Sequence, residues 1–193
     1  MTTSTTTPAI GGPPASGLRR RLAAGLLLAC TACTAPITTG GCTRPDEGPV
    51  AADRFVAVEL AGRTFRLEPA VDDAARAKGL MDRAEIPEGG GMIFIWRDAA
   101  MRRFWMKNCL VPIDLLFVDP RGFVTAVHAM PIEPPRGEDE SEFEYEARLP
   151  GYSSRFPARY AIEVPAGTIE ALGLRAGMRL DLDHEALAAL VRE

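Results

Sequence analysis

Histidine is almost absent from this chain of 193 residues, with only His128 and His184, and neither stands in an HExxH-type spacing. No CxxC pair compensates, so the ligand sets of the common zinc centres are missing and no metal site or cofactor is expected. Cysteine is equally scarce. Cys30, Cys33 and Cys42 fall in the first 42 residues, which leaves Cys109 alone afterwards with no partner for an intradomain disulfide. A lone cysteine in apolar surroundings, with no histidine near it in sequence, reads as a small buried hydrophobe rather than a nucleophile. The first 41 residues contain no acid and only three bases, Arg19, Arg20 and Arg21, so 19 basic face 26 acidic side chains in the remainder, a balance near −7. No basic patch is present, which argues against nucleic acid as a partner.

What the N-terminus does have is the make-up of an export leader. A Thr/Pro/Gly-rich start and three arginines precede the apolar run Leu22 to Cys33. That run is shorter than the ~20 residues a membrane-spanning helix needs. Leu27-Leu28-Ala29-Cys30 and Thr39-Gly40-Gly41-Cys42 both resemble the small-residue-then-cysteine site at which bacterial lipoproteins are lipidated. Cys42 leaves the more normal leader length and precedes a linker, so it is the preferred lipidation site; Cys30, a simple cleaved leader and an uncleaved anchor stay open as alternatives. The expected organisation is an export signal over 1–41, a flexible Pro-containing linker over 42–52 and one domain over 53–193. The expected location is therefore the cell envelope or periplasm, lipid-anchored or otherwise secreted.

Within the domain, Arg54–Leu60 and Arg63–Glu68 alternate around Ala61-Gly62, the pattern of a β-hairpin. Val71–Met81, with Asp72 and Asp73 early, predicts a short helix stopped at Gly79. Met92–Trp96 is a compact apolar strand behind the turn Gly89-Gly90-Gly91; that triple glycine lacks the helix and Lys/Ser of a phosphate loop. Further strands are expected at Phe104–Met106, Ile113–Val118, Phe123–Met130, Tyr160–Val164 and Leu180–Leu182, with a helical turn at Thr168–Leu172 and an amphipathic helix at His184–Val191. The acidic, proline-rich stretch from Pro131 to Pro150 is expected to be a solvated excursion without the glycine and spacing of a calcium loop. The fold class is mainly β: a single-domain β sandwich or partly open barrel with one or two short helices.

The stretch Phe104 to Asp119 mixes apolar residues with polar ones that are costly to bury without partners. Lys107, Asn108 and Asp114, with Arg83 and Tyr152, are candidates to line a concave site for a small polar ligand or glycan, and Trp105 is a candidate stacking platform. The structural alternative assigns Asp114 to Lys107 or to loop amides, Asn108 to a turn and Trp105 to the core. Asp114 and Asp119 are the only local carboxylate pair for a hydrolase, yet five residues along a strand put them on opposite faces. No catalytic set is assigned. Met81, Met92, Met101, Met106 and Met130 near His128 raise soft-metal (copper) binding as a further alternative, with gap-filling core methionines as its counterpart.

Several stretches together resemble a known family, the domain of unknown function 192. They are Lys78-Gly79-Leu80-Met81 with Arg83, Gly91-Met92-Ile93-Phe94, Phe104-Trp105-Met106-Lys107-Asn108, Pro112 to Phe117, Tyr152-Ser153-Ser154 and Glu163 to Gly167, in the family's order across Phe55 to Leu182. The resemblance implies a compact β-rich fold, commonly behind an export signal, and no activity. Where the family usually has Thr after the Asn, this chain has Cys109. The resulting expectation is an extracytoplasmic binding or accessory module, more a non-enzyme than an enzyme. Hydrolase, copper-binding protein and purely structural envelope protein are the alternatives.

Overall fold

The computed structural model describes residues 55–191, all within one unit, Asp46–Glu193. The export signal, the Cys42 lipidation site and the 42–52 linker lie outside the described residues.

The chain is mainly β, as its alternating stretches predict. The hairpin pairs β1 (Val56–Leu60) with β2 (Arg63–Ala70), turning through Ala61 and Gly62, both at positive φ. Four longer strands follow: β3 (Met92–Ala100), β5 (Ile113–Val118), β6 (Val124–Met130) and β8 (Ala158–Pro165). They complete a six-stranded mixed sheet in the order β1-β2-β3-β8-β5-β6, in which β2 and β3 run parallel and the other pairs antiparallel. Two dipeptides, β4 (Arg103–Phe104) and β7 (Tyr152–Ser153), pair separately. Among the described residues the sheet does not close into a barrel. It carries four short helices where one or two were expected: α1 (Asp73–Lys78), α2 (Glu142–Arg148), α3 (Thr168–Leu172) and α4 (His184–Ala189).

Each face of the sheet has its own core. One cluster holds Phe65, Leu67, Ile93, Ile95, Leu116, Ile162 and Val164 with Leu174, Leu180 and Leu187, and Ile169 and Leu172 of α3 pack against it. The other holds Met92, Phe94, Ile113, Leu115, Phe117 and Ala161 with Leu80, Met106 and Cys109. Strand alternation sorts the residues: Ile113, Leu115 and Phe117 go to the second core, Leu116 and Val118 to the first. Since β8 sends Ile162 and Val164 to the first core and Ala161 to the second, Glu163 belongs with Ala161.

Two sequence expectations are corrected. Pro131 to Pro150 is not simply a solvated excursion, because α2 forms there on a capping box. Ser141 Oγ accepts from the Glu144 N–H, Glu144 accepts from the Ser141 N–H, and Tyr145 is fully buried. Leu180–Leu182 forms no strand; an isolated bridge from Arg179 to Phe123 stands in its place.

Candidate functional site

The α1 helix begins at Asp72, whose Oδ1 accepts from the Ala75 N–H at 2.7 Å, and ends at Gly79 with φ 50° and ψ −137°. This conformation is open to glycine and strained for any side chain. The chain thereby turns sharply and carries Leu80 and Met81 over the second core. A Cβ at residue 79 would stand 3.5 Å from Phe94 Cζ and 3.8 Å from Glu163 Oε2. Gly79 thus lies beside a buried carboxyl.

Glu163 itself is pinned by its neighbours. It faces Met92 across β3 and Leu115 across β5. Gly91 presses so closely on its carbonyl that a Cβ there would sit 2.1 Å from the oxygen. The side chain is buried, and its Oε2 has no hydrogen-bond partner among the described residues. Burial drives its carboxyl up to about 8, against the opposing pull of the Arg83 guanidinium. A carboxyl so placed is mostly neutral at pH 7 and can both donate and accept.

Around it lies a pocket of about 340 Å³ lined by Gly79, Leu80 and Met81, by Phe94 and Trp96 of β3, by Arg103, Phe104 and Trp105, and by Cys109 and Glu163. Its walls are aromatic. Phe104 meets Phe94 edge-on at 4.8 Å between centroids, and Phe94 stacks on Trp96 at 6.2 Å. The ring series continues beyond the pocket through Phe117 and His128 to Tyr152. Most of the charges at the rim are engaged. Arg76 donates to the Val71 and Ile95 carbonyls and to Asp73, and Lys78 pairs with Asp82. Arg103 has no hydrogen-bond or ion-pair partner among the described residues, and its guanidinium lies across Gly151, where a Cβ would be 1.6 Å from Nε.

The residues chosen from sequence do not meet at one point. Trp105 lines the pocket and is 42% exposed, so it does not fill the core. Lys107 turns away to α2, where it bridges Glu142 and Glu146 (2.6 Å to Glu146), and these two carboxylates raise its pKa. Asn108, at φ 51°, donates its backbone N–H to Tyr145 Oη at 3.0 Å, and its Oδ1 accepts from the same hydroxyl at 3.4 Å. Asp114 lies on the opposite side of the sheet. Its Oδ2 accepts from the Ile169 N–H at 2.7 Å and serves α3, whose own N-cap residue, Gly167, has no side chain to offer. Burial raises the Asp114 pKa, and the backbone donors Ile169, Gly167 and Thr168 oppose it. Arg83 clasps Glu68 through both carboxylate oxygens (2.7 Å to Oε2), and its charge is felt at Glu163. Tyr152 packs on His128, whose Nε2 lies 2.8 Å from the Ser153 carbonyl oxygen.

The other sequence candidates resolve into structural roles. Asp119 binds the N–H groups of Arg121 and Phe123 in its own turn. Met92, Met106 and Met130 pack in the second core. Among the described residues, no group of three His, Cys, Asp or Glu gathers in a metal-holding arrangement. Sequence reasoning missed Glu163 and Arg103. The signal for Glu163 was a carboxylate inside an otherwise apolar strand; Arg103 had none.

A family model described as DUF192, uncharacterized ACR, matches residues 56–182. Two solved structures are similar. One is a putative transcription regulator from Sinorhizobium meliloti 1021, 31% identical over 65% of this chain and 88% of that one, with a TM-score of 0.51. The other is a protein of unknown function from Novosphingobium aromaticivorans DSM 12444, 29% identical over 73% of this chain and 94% of that one, with a TM-score of 0.55. No curated protein matches the chain.

Proposed function

The chain belongs to the DUF192 family, and from that premise we propose that its domain is a binding module of the cell envelope for a small polar ligand or carbohydrate, with the pocket over Glu163 as its site. One observation carries this reading: a buried carboxyl oxygen, without a partner among the described residues, lies beside Gly79 in the lining of an aromatic-walled cavity. An orphaned buried polar atom costs free energy that a ligand hydroxyl recovers by pairing with it. The size and lining suit such a ligand, since small-molecule sites combine apolar walls with a few fixed polar groups. Four stretches that carry the family resemblance converge there: Lys78 to Met81, Phe94, Phe104-Trp105 and Glu163. The envelope location rests on the leader-like first 41 residues and on the small-residue site before Cys42.

Isothermal titration of the full chain in detergent against a panel of sugars and polar metabolites tests the binding. A ligand bound by wild type and weakened by both Trp105→Ala and Glu163→Gln is the expected result. Absence of any binder, or a binder indifferent to both substitutions, removes the proposal. Labelling with a clickable fatty acid tests the anchor, which requires incorporation into wild type and none into Cys42→Ala.

A further inference from the structure

We infer that the pocket takes an acidic sugar ring, a uronate in chemical class, with its carboxylate on Arg103, a hydroxyl on Glu163 and its flat face on the aromatic wall. This rests on the binding reading above and narrows it. The polar groups of the pocket divide into those already satisfied within the protein and those left over. Asp73, Arg76 and Lys78 are paired. Left over are the carboxyl of Glu163 on the floor and the guanidinium of Arg103 at the rim. A planar guanidinium is the preferred bidentate partner of a carboxylate. It lies against Gly151, which has no Cβ to displace it.

The sign of the pocket decides between ligand classes. With Arg76 paired to Asp73 and Lys78 to Asp82, Arg103 leaves the rim with one positive charge over. An amine-bearing ligand would meet that field unfavourably and find Glu163 largely uncharged. A neutral sugar would satisfy Glu163 and the rings but leave Arg103 unused. A uronate uses all three, and Phe104 and Trp105 offer its ring the apolar surface on which sugars stack.

The charge of Glu163 then governs affinity. The groups that face it are Arg83, engaged with Glu68, the Cys109 thiol and the uncharged Met92, Leu115 and Gly79. When Glu163 ionises, the pocket gains a negative charge that opposes the ligand carboxylate, so uronate binding weakens as pH rises through about 8.

The test is calorimetric titration of the full chain with D-galacturonate, D-galactose and D-galactosamine. At pH 6.5 galacturonate is expected to bind about tenfold tighter than galactose, the gain of one charge-assisted pair. Arg103→Ala should reduce that preference to within about twofold. Glu163→Gln should abolish the weakening above pH 8. If galactose binds as tightly as galacturonate, or galactosamine binds tightest, the uronate inference falls and the binding module stands. If none of the three binds, the uronate inference falls, and the wider ligand panel decides the module.

Discussion

Gly79 and the buried Glu163 carboxyl stand side by side, with Oε2 only 3.8 Å from where a Cβ on residue 79 would be. Gly79→Ala is expected to destabilise the domain by about 1–3 kcal/mol, because φ 50° and ψ −137° form a region that side chains avoid. The added methyl would touch Phe94 at ordinary van der Waals distance, so the cost comes from the backbone rather than from a clash. Urea unfolding measures it. A change of only a few tenths would mean that the helix end relaxes into another conformation, and the backbone at residue 79 would not require glycine.

Glu163 should make folding stability depend on pH. Its carboxyl goes from an ordinary value of 4.5 in the unfolded chain to about 8 when folded. Folding therefore favours the protonated form. The contribution is fully present below 4.5 and is lost as pH rises through 8. The loss is on the order of a few kcal/mol for a fully buried carboxyl. Glu163→Gln keeps the shape and removes the titration, so its urea midpoint should match wild type near pH 5 and exceed it near pH 9. Parallel pH curves for the two proteins would place the titration elsewhere.

Asp114 separates the structural residues from the binding ones. Buried on the far side of the sheet and bonded to the Ile169 N–H, it supplies α3 with the cap that Gly167 lacks. Asp114→Ala leaves that N–H without its partner and should cost about 1–3 kcal/mol. Ligand affinity at the Glu163 pocket should stay unchanged wherever the variant remains folded. A variant as stable as wild type but deficient in binding would return Asp114 to the site.

The fold was legible wherever one face of a strand alternates or a whole strand is apolar. Ala61-Gly62 marked the hairpin, and the branched run Ile113 to Val118 marked a strand buried on both faces. The second core was harder to foresee, because Met106 and Cys109 reach it from a connection rather than from a regular element. Around α2 the acids Glu138 to Glu146 concealed a Ser141/Glu144 capping box, so a helix that buries Tyr145 looked like a solvated loop. The site was legible only in part. Trp105 followed from its stretch, but Lys107, Asn108 and Asp114 find their partners 37 to 55 residues away, at Glu146, Tyr145 and Ile169, and local sequence does not announce such partners. Glu163 was passed over as one position of the strand Tyr160 to Val164, although a carboxylate there must either be paired or face a cavity.

Cys109 tests how often the pocket opens. Its thiol is pushed up to about 12, first by burial and then by the nearby negative charges of Glu163 and Asp82, and its Sγ donates weakly to the Lys107 carbonyl at 3.5 Å. Thiolate is the reactive form, so at pH 8 the native protein should alkylate at Cys109 roughly a thousandfold more slowly than the unfolded chain. Residue-resolved mass spectrometry after iodoacetamide treatment separates it from Cys30, Cys33 and Cys42. What reaction remains reaches the sulfur through the pocket that Cys109 lines or through local opening of the segment that carries Leu80 over the core. A ligand seated against Glu163 holds that segment closed, so it should slow alkylation further in proportion to its occupancy. Alkylation of the native chain at the unfolded rate would mean that the wall of the pocket is open most of the time, and a preformed site beside Glu163 would not survive that result.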